Sequence, residues 1–194
     1  EGKTAIIDIA SASGLTLRPE NERNPLIASS IGTGELILDA YRNGCRKFII
    51  CLGGSAVNDA GTGLLQALGF RFMDADGISI GRCCGKTLSD IASFVYDGSI
   101  FDLAETEFIL ACDVDAVFSG PTGATRVFGP QKGADKEMIE ILENGMQSFA
   151  KVLYQKTGKD VNAIKGSGTA GGTETIGKGK SASKTNSRKI NISI

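Results

Sequence analysis

Phe48-Ile-Ile-Cys-Leu-Gly-Gly-Ser-Ala-Val-Asn-Asp-Ala-Gly61 opens as a short apolar, β-branched run, breaks at paired glycines and passes through small polar residues into Thr62–Leu68. The apolar half reads as a buried strand and the segment beyond Gly61 as a helix. Strand, glycine turn and helix start in that order is how α/β proteins build an anion site, because free backbone N–H groups and the helix dipole both favour negative charge there. Ser55, Asn58 and Asp59 would add a hydroxyl, an amide and a carboxylate. The same pattern also suits a plain structural turn that uses glycine for its backbone freedom alone.

Working outward, Thr4–Ile9 reads as a second strand followed by a turn of small residues, Ala10–Gly14. Pro19 and Asn24-Pro25 mark a loop. Thr33 is a candidate N-cap for a helix that stops at Asn43-Gly44. Phe70–Met73 alternates like a strand into the turn Asp74–Gly77, Thr87–Phe94 reads as helical, and Glu107–Cys112 as a further short strand. Met138, Leu142, Met146, Phe149 and Leu153 recur every three or four residues and define one apolar helix face between Asp135 and Thr157. Strands alternating with helices specify an α/β fold, a sheet flanked by helices. From Lys165 to Ile194 the chain is rich in Gly, Ser, Thr and Lys, the composition of a poorly ordered polar tail.

Composition narrows the function. The 194 residues suit about one domain, and a net charge of −1 gives no general attraction to nucleic acid or anionic membrane. No apolar stretch approaches the roughly 20 residues of a membrane span. Five cysteines, an odd number without a C-x-x-C pair, fit a reducing cytoplasm better than a disulfide framework. The adjacent pair Cys83-Cys84 is the one candidate for redox chemistry. The chain has no histidine, which removes Ser-His-Asp and Cys-His catalysis and the usual zinc sites. Carboxylates, lysine, arginine and backbone donors remain, a set suited to phosphoryl transfer, where positioning and charge neutralisation do most of the work.

Two segments approach the P-loop without meeting it. Gly81–Thr87 has three residues between its glycines where four are needed, and Gly177–Ser181 has Glu174 where the earlier glycine belongs. Aspartates at strand ends are stronger candidates. Asp113 follows Phe108–Cys112 and Asp59 follows the central strand, and ligands of open α/β sheets bind beyond the carboxyl ends of strands. Either could orient a hydroxyl or hold Mg²⁺, and either could serve as a cap or turn former. The loop Gly120–Gly133 carries Arg126, Gln131 and Lys132, donors suited to an anionic substrate.

Ala12-Ser-Gly14, Asn24-Pro-Leu26, Gly32-Thr-Gly-Glu-Leu-Ile37, Gly53-Gly-Ser-Ala56, Asn58-Asp59, Ala111-Cys-Asp-Val114 and Val127-Phe-Gly-Pro-Gln-Lys-Gly133, in this order and spacing, resemble the bacterial glycerate kinase family, the type that includes the glycerate 2-kinases of glyoxylate and sugar-acid catabolism. The resemblance runs to about Gly172. It implies transfer of the γ-phosphoryl group of ATP, with Mg²⁺, to a hydroxyl of D-glycerate. It also implies two α/β domains, the second inserted into a Rossmann-like first. Residues 1–165 correspond to the inserted domain, and residues 166–194 to a glycine-rich segment and divergent tail. The Rossmann-like domain is then largely missing, so that a complementing lobe or a homo-oligomer is the expected partner. The polar sequence after Gly172, where the family continues as an apolar helix, is what a frameshift, a truncated gene model or a gene remnant would leave.

Within that resemblance Gly53, Gly54, Ser55, Asn58 and Asp59 are expected to form the anion site, with Gln131 beside it. Asp113 would orient metal or hydroxyl, and Arg126 and Lys132 would neutralise carboxylate or phosphoryl oxygens. Two departures stand out. Asp115-Ala-Val117 replaces the family's Thr-Asn-Pro, and Cys83-Cys84-Gly85 replaces a glycine triplet.

Overall fold

The computed structural model describes residues 2–111, 116–164, 166–168, 178–181 and 187–191. Its elements run β1 (Lys3–Asp8), α1 (Ala10–Ser13), α2 (Ile31–Arg42), β2 (Cys45–Cys51), α3 (Thr62–Ala67), β3 (Arg71–Met73), β4 (Ser93–Val95), β5 (Glu107–Ala111), α4 (Ala124–Phe128), α5 (Lys136–Thr157), β6 (Lys178–Ser181) and β7 (Ser187–Asn191), joined by loops and short 3₁₀ turns.

One five-stranded sheet has the order β1-β2-β5-β7-β6. β1, β2 and β5 are parallel, with Ile6 opposite Ile49 and Ile49 opposite Ile109. β7 runs antiparallel to β5, and β6 antiparallel to β7. β6 and β7 come from the stretch whose composition reads as a polar tail. β3 and β4 form a separate antiparallel pair.

The core follows from the phenylalanines. Phe48 on β2 stacks on Phe108 of β5 with ring centroids 5.1 Å apart, and Phe101 joins both. Phe72 on β3 meets Phe94 on β4 and the edge of Phe149 on α5. Sealing a ring of this size from water contributes about 1.5–3 kcal/mol. The periodic face of α5 buries Leu142, Met146, Phe149 and Leu153, while Met138 is half-buried. Asp135 caps this helix by accepting from the Met138 amide, and Gly158 ends it in the left-handed conformation.

Two local readings shift. The segment Thr87–Phe94 is not a helix: Gly85–Asp90 is a 3₁₀ turn and Phe94 lies on β4 opposite Phe72. Burial of that aromatic against its cross-strand partner outweighs local helical propensity. Helix α2 starts at Ile31 after Ser30, and Thr33 is inside it, its hydroxyl 2.8 Å from that of buried Ser13 on α1.

Candidate functional site

β1 and β2 end side by side, and the Ile9 amide donates to the Cys51 carbonyl just past both strands. The chain beyond β1 forms α1 and the chain beyond β2 forms the Gly53–Gly54 turn. An antiparallel bridge between Gly14 and Ser55 stitches the two together: Leu15 N–H donates to Gly54 C=O at 2.9 Å and Ala56 N–H to Ser13 C=O at 2.8 Å. Gly54 has φ +68°, a conformation that side chains resist. Gly53 and Gly54 are exposed, and Ser55 is buried behind them.

A cleft of about 360 Å³ opens at this stitched edge, beyond the carboxyl ends of the parallel strands where α/β sheets place ligands. Ser13, Gly14, Ala56 and Val57 form one side and the 17–29 loop another, with Arg18, Glu22, Arg23 and Asn24 contributing polar groups. Arg82 completes it from the loop before the 3₁₀ turn. Three guanidiniums thus face one carboxylate. Arg18 approaches Glu22 at 3.4 Å, with both side chains largely exposed. Arg23 supports the wall: Nε donates to the Leu15 carbonyl at 3.2 Å and Nη1 to the Gln131 carbonyl at 3.5 Å. An excess of cationic donors around an open cleft attracts a small anion.

Behind the cleft lies a sealed polar network. Asp59 is fully buried, and its Oδ2 accepts from the Ser30 amide (2.7 Å), the Ser30 hydroxyl (2.8 Å) and the Gly63 amide (3.3 Å), while Oδ1 accepts from the Gly61 amide. One carboxylate therefore serves the amino ends of both α2 and α3, where helix dipoles favour negative charge. Burial pushes the Asp59 carboxyl up from its ordinary range, and the donors from Ser30, Gly61 and Gly63 pull against that shift. The close approach needs Gly63: a Cβ there would lie 2.3 Å from Ser29 Oγ and 2.9 Å from Asp59 Oδ2.

Lys132, also buried, donates from Nζ to the Val57 carbonyl at 2.6 Å. Burial lowers its pKa to about 8, and the Asp59 charge pulls it back up. Asn58 donates to Thr125 Oγ1 on α4 at 3.0 Å, and its buried Oδ1 has no hydrogen-bond partner among the described residues.

The residues singled out by sequence are therefore distributed over three settings. Gly53, Gly54 and Ser55 adjoin the cleft. Asn58, Asp59 and Lys132 lie beneath it, and Gln131 reaches it through a backbone carbonyl that Arg23 holds. Arg126 is directed elsewhere, in a two-bond fork to Glu140 of α5 at 2.7 and 3.0 Å. Asp113 lies outside the described residues. Cys83 and Cys84 are buried and free, and burial raises the Cys83 thiol to about 12, far from nucleophilic. Among the described residues no cluster of three or more His, Cys, Asp or Glu is arranged for a metal ion, and none of the helices is long and apolar enough to cross a membrane. The cleft arginines went unread in the sequence because they are isolated cations in loops up to 64 positions apart, without a spacing pattern.

The family model described as "Glycerate kinase family" matches residues 1–183. A glycerate kinase of Bacillus subtilis (strain 168) is 45% identical over 172 residues, which is 89% of this chain and 45% of the relative. A glycerate 2-kinase of Escherichia coli (strain K12) is 45% identical over 174 residues, with the same coverage. A crystal structure from Salmonella typhimurium LT2 assigned as glycerate kinase 2 superposes with a TM-score of 0.81 at 43% identity, covering 89% of this chain and 46% of that one. The chain spans about half the length of the curated relatives it matches.

Proposed function

The chain belongs to the glycerate kinase family, and on that premise we propose that it supplies the acid-substrate side of an enzyme that moves the γ-phosphoryl group of ATP onto a hydroxyl of D-glycerate. The observation that carries this reading is the open cleft beyond the carboxyl ends of β1 and β2, with three guanidiniums against one carboxylate. Substrate and product of such a reaction are both anions, and catalysis rests on holding them in line while charge develops on the transferring group.

In this reading the open turn at Gly53 and Gly54 offers backbone donors to anionic oxygens, with Ser55 buried behind it and Asn58 holding α4 from beneath through Thr125. Asp59 and Lys132 act by position. Asp59 fixes the starts of α2 and α3, and Lys132 fixes Val57 in the cleft wall. Arg126 would contact substrate only by leaving Glu140. Arg126→Ala in the full-length enzyme then raises the glycerate KM or lowers kcat at least about tenfold, and unchanged kinetics removes it from the site. Mg²⁺ would arrive with the nucleotide, shielding phosphate charge. Asp59 does not fit it, since its oxygens already accept four bonds, and the carboxylate left for that role is Asp113.

We assign residues 1–165 to the inserted α/β domain of a two-domain family chain, in the cytoplasm, with the nucleotide held across the crevice by a second lobe. In this reading the cleft serves the acid substrate, and turnover needs the second lobe as well. Little ADP release is therefore expected from the purified polypeptide with ATP and D-glycerate, and restored turnover when the remaining part of the enzyme is supplied. Robust D-glycerate-dependent ADP release by this polypeptide alone would overturn the half-site reading. Failure of the completed enzyme to phosphorylate D-glycerate would overturn the kinase reading.

A further inference from the structure

The three guanidiniums of the cleft are not equivalent. Arg18 has Glu22 within 3.4 Å, and Arg23 is committed to the carbonyls of Leu15 and Gln131. Arg82 is exposed and makes no hydrogen bond or ion pair among the described residues. Its backbone is nevertheless fixed on both sides. From α3, Gln66 Nε2 donates to the carbonyls of Ile80 and Gly81, each at 3.1 Å, and Gln66 Oε1 accepts from the Cys83 amide at 3.0 Å. The Ser29 hydroxyl adds a 2.6 Å bond to the Cys83 carbonyl.

Four hydrogen bonds thus converge on the residues flanking one unengaged cation. This explains the glycine–basic stretch at Gly81–Thr87 without any P-loop: it presents a side chain, not a cradle of amides. A pre-set backbone leaves only side-chain rotamer freedom to be lost on binding, which lowers the entropic cost of engagement. A planar guanidinium with parallel N–H donors matches a planar carboxylate.

We propose that Arg82 grips the carboxylate of the hydroxy-acid substrate and that Gln66 is the positioning residue that aims it. This rests on the kinase reading and refines it, because it distinguishes the acid end of the substrate from the end that is phosphorylated. Hydroxy acids are then recognised, while a polyol with the same hydroxyls and no carboxylate is not.

Titration calorimetry on the purified chain, with D-glycerate, glycerol, inorganic phosphate and ATP as separate probes, tests the assignment. D-glycerate should bind and glycerol should not. Arg82→Met should weaken D-glycerate about tenfold or more, and Arg82→Lys less, since it keeps charge and loses the fork. Gln66→Met should weaken D-glycerate when Arg82 is present and have little further effect in the Arg82→Met background, a coupling that a general structural defect would not produce. Exposed Arg82 is free of packing constraints, so its variants should melt at the wild-type temperature. Undiminished D-glycerate affinity in Arg82→Met overturns the assignment and leaves the kinase reading standing. So does a loss confined to inorganic phosphate, which would move Arg82 to the phosphoryl end. Absence of D-glycerate binding by the wild-type chain also overturns it, and the kinase reading is then decided by turnover in the completed enzyme.

Discussion

Gly53–Ala56 and Val57–Asp59 are consecutive in the chain and opposite in character. The first is an open turn with room around its backbone. The second is sealed, and its amide, carboxylate and carbonyl are tied to Thr125, Ser30 and Lys132 across separations of 67, 29 and 75 residues. One stretch thus supplies both a surface for a ligand and the anchor that keeps it rigid. Polar residues near a cleft sort into those that meet substrate and those that hold the wall, and burial with satisfied bonds separates the two better than residue type does.

The strongest test of that division is at the anchor. Asp59→Ala leaves the Ser30 and Gly63 donors buried and unpaired, and should cost about 3 kcal/mol or more in urea or thermal denaturation. A loss below about 1 kcal/mol would show that the network carries little load and would break the comparison.

Lys132 gives a pH signature of similar size. Its folded pKa of about 8 lies below the ordinary lysine value of 10.5. Below pH 8 both folded and unfolded chains carry the proton, and the cost of burying the ammonium is paid in full. Between pH 8 and 10.5 the unfolded chain holds the proton that the folded chain has released, so stability rises with pH by roughly 3 kcal/mol across this window. Lys132→Met should lose that rise when wild type and variant are melted in parallel at pH 7 and pH 10. Asp59 lies beside Lys132 and opposes the downward shift without removing it. Parallel pH profiles would remove Lys132 from the sealed side.

At the open turn the effects should be small. Gly54→Ala forces a side chain to φ +68° and should cost about 1 kcal/mol. Gly53→Ala meets nothing within 4 Å and should stay within about 0.5 kcal/mol. A large loss at Gly53 would mean that the turn is as constrained as the anchor beneath it.

The strand–turn–helix at Phe48–Leu68 was legible because its signals are local: an apolar run, a glycine break and a helical period. The face of α5 was legible for the same reason. Asp59 shows where that ends. Its sequence context allows a strand-end carboxylate or a cap, and its partner Ser30 lies in another element, so topology decides. The cleft arginines illustrate the stronger limit. Arg18, Arg23 and Arg82 share no period or motif and converge only once the 17–29 loop and the loop at Arg82 fold over the ends of β1 and β2. Phe94 left helix for strand because its value lies in contact with Phe72, which propensity does not register.

Because a single carboxylate anchors the amino ends of α2 and α3, and the missing side chain of Gly63 lets them meet there, the two helices form one stiff wedge. Neither can slide or tilt at that end without pulling Asp59 from the other. Any opening or closing around a ligand must therefore carry α2 and α3 together, and the Arg82 backbone that Gln66 holds travels with them.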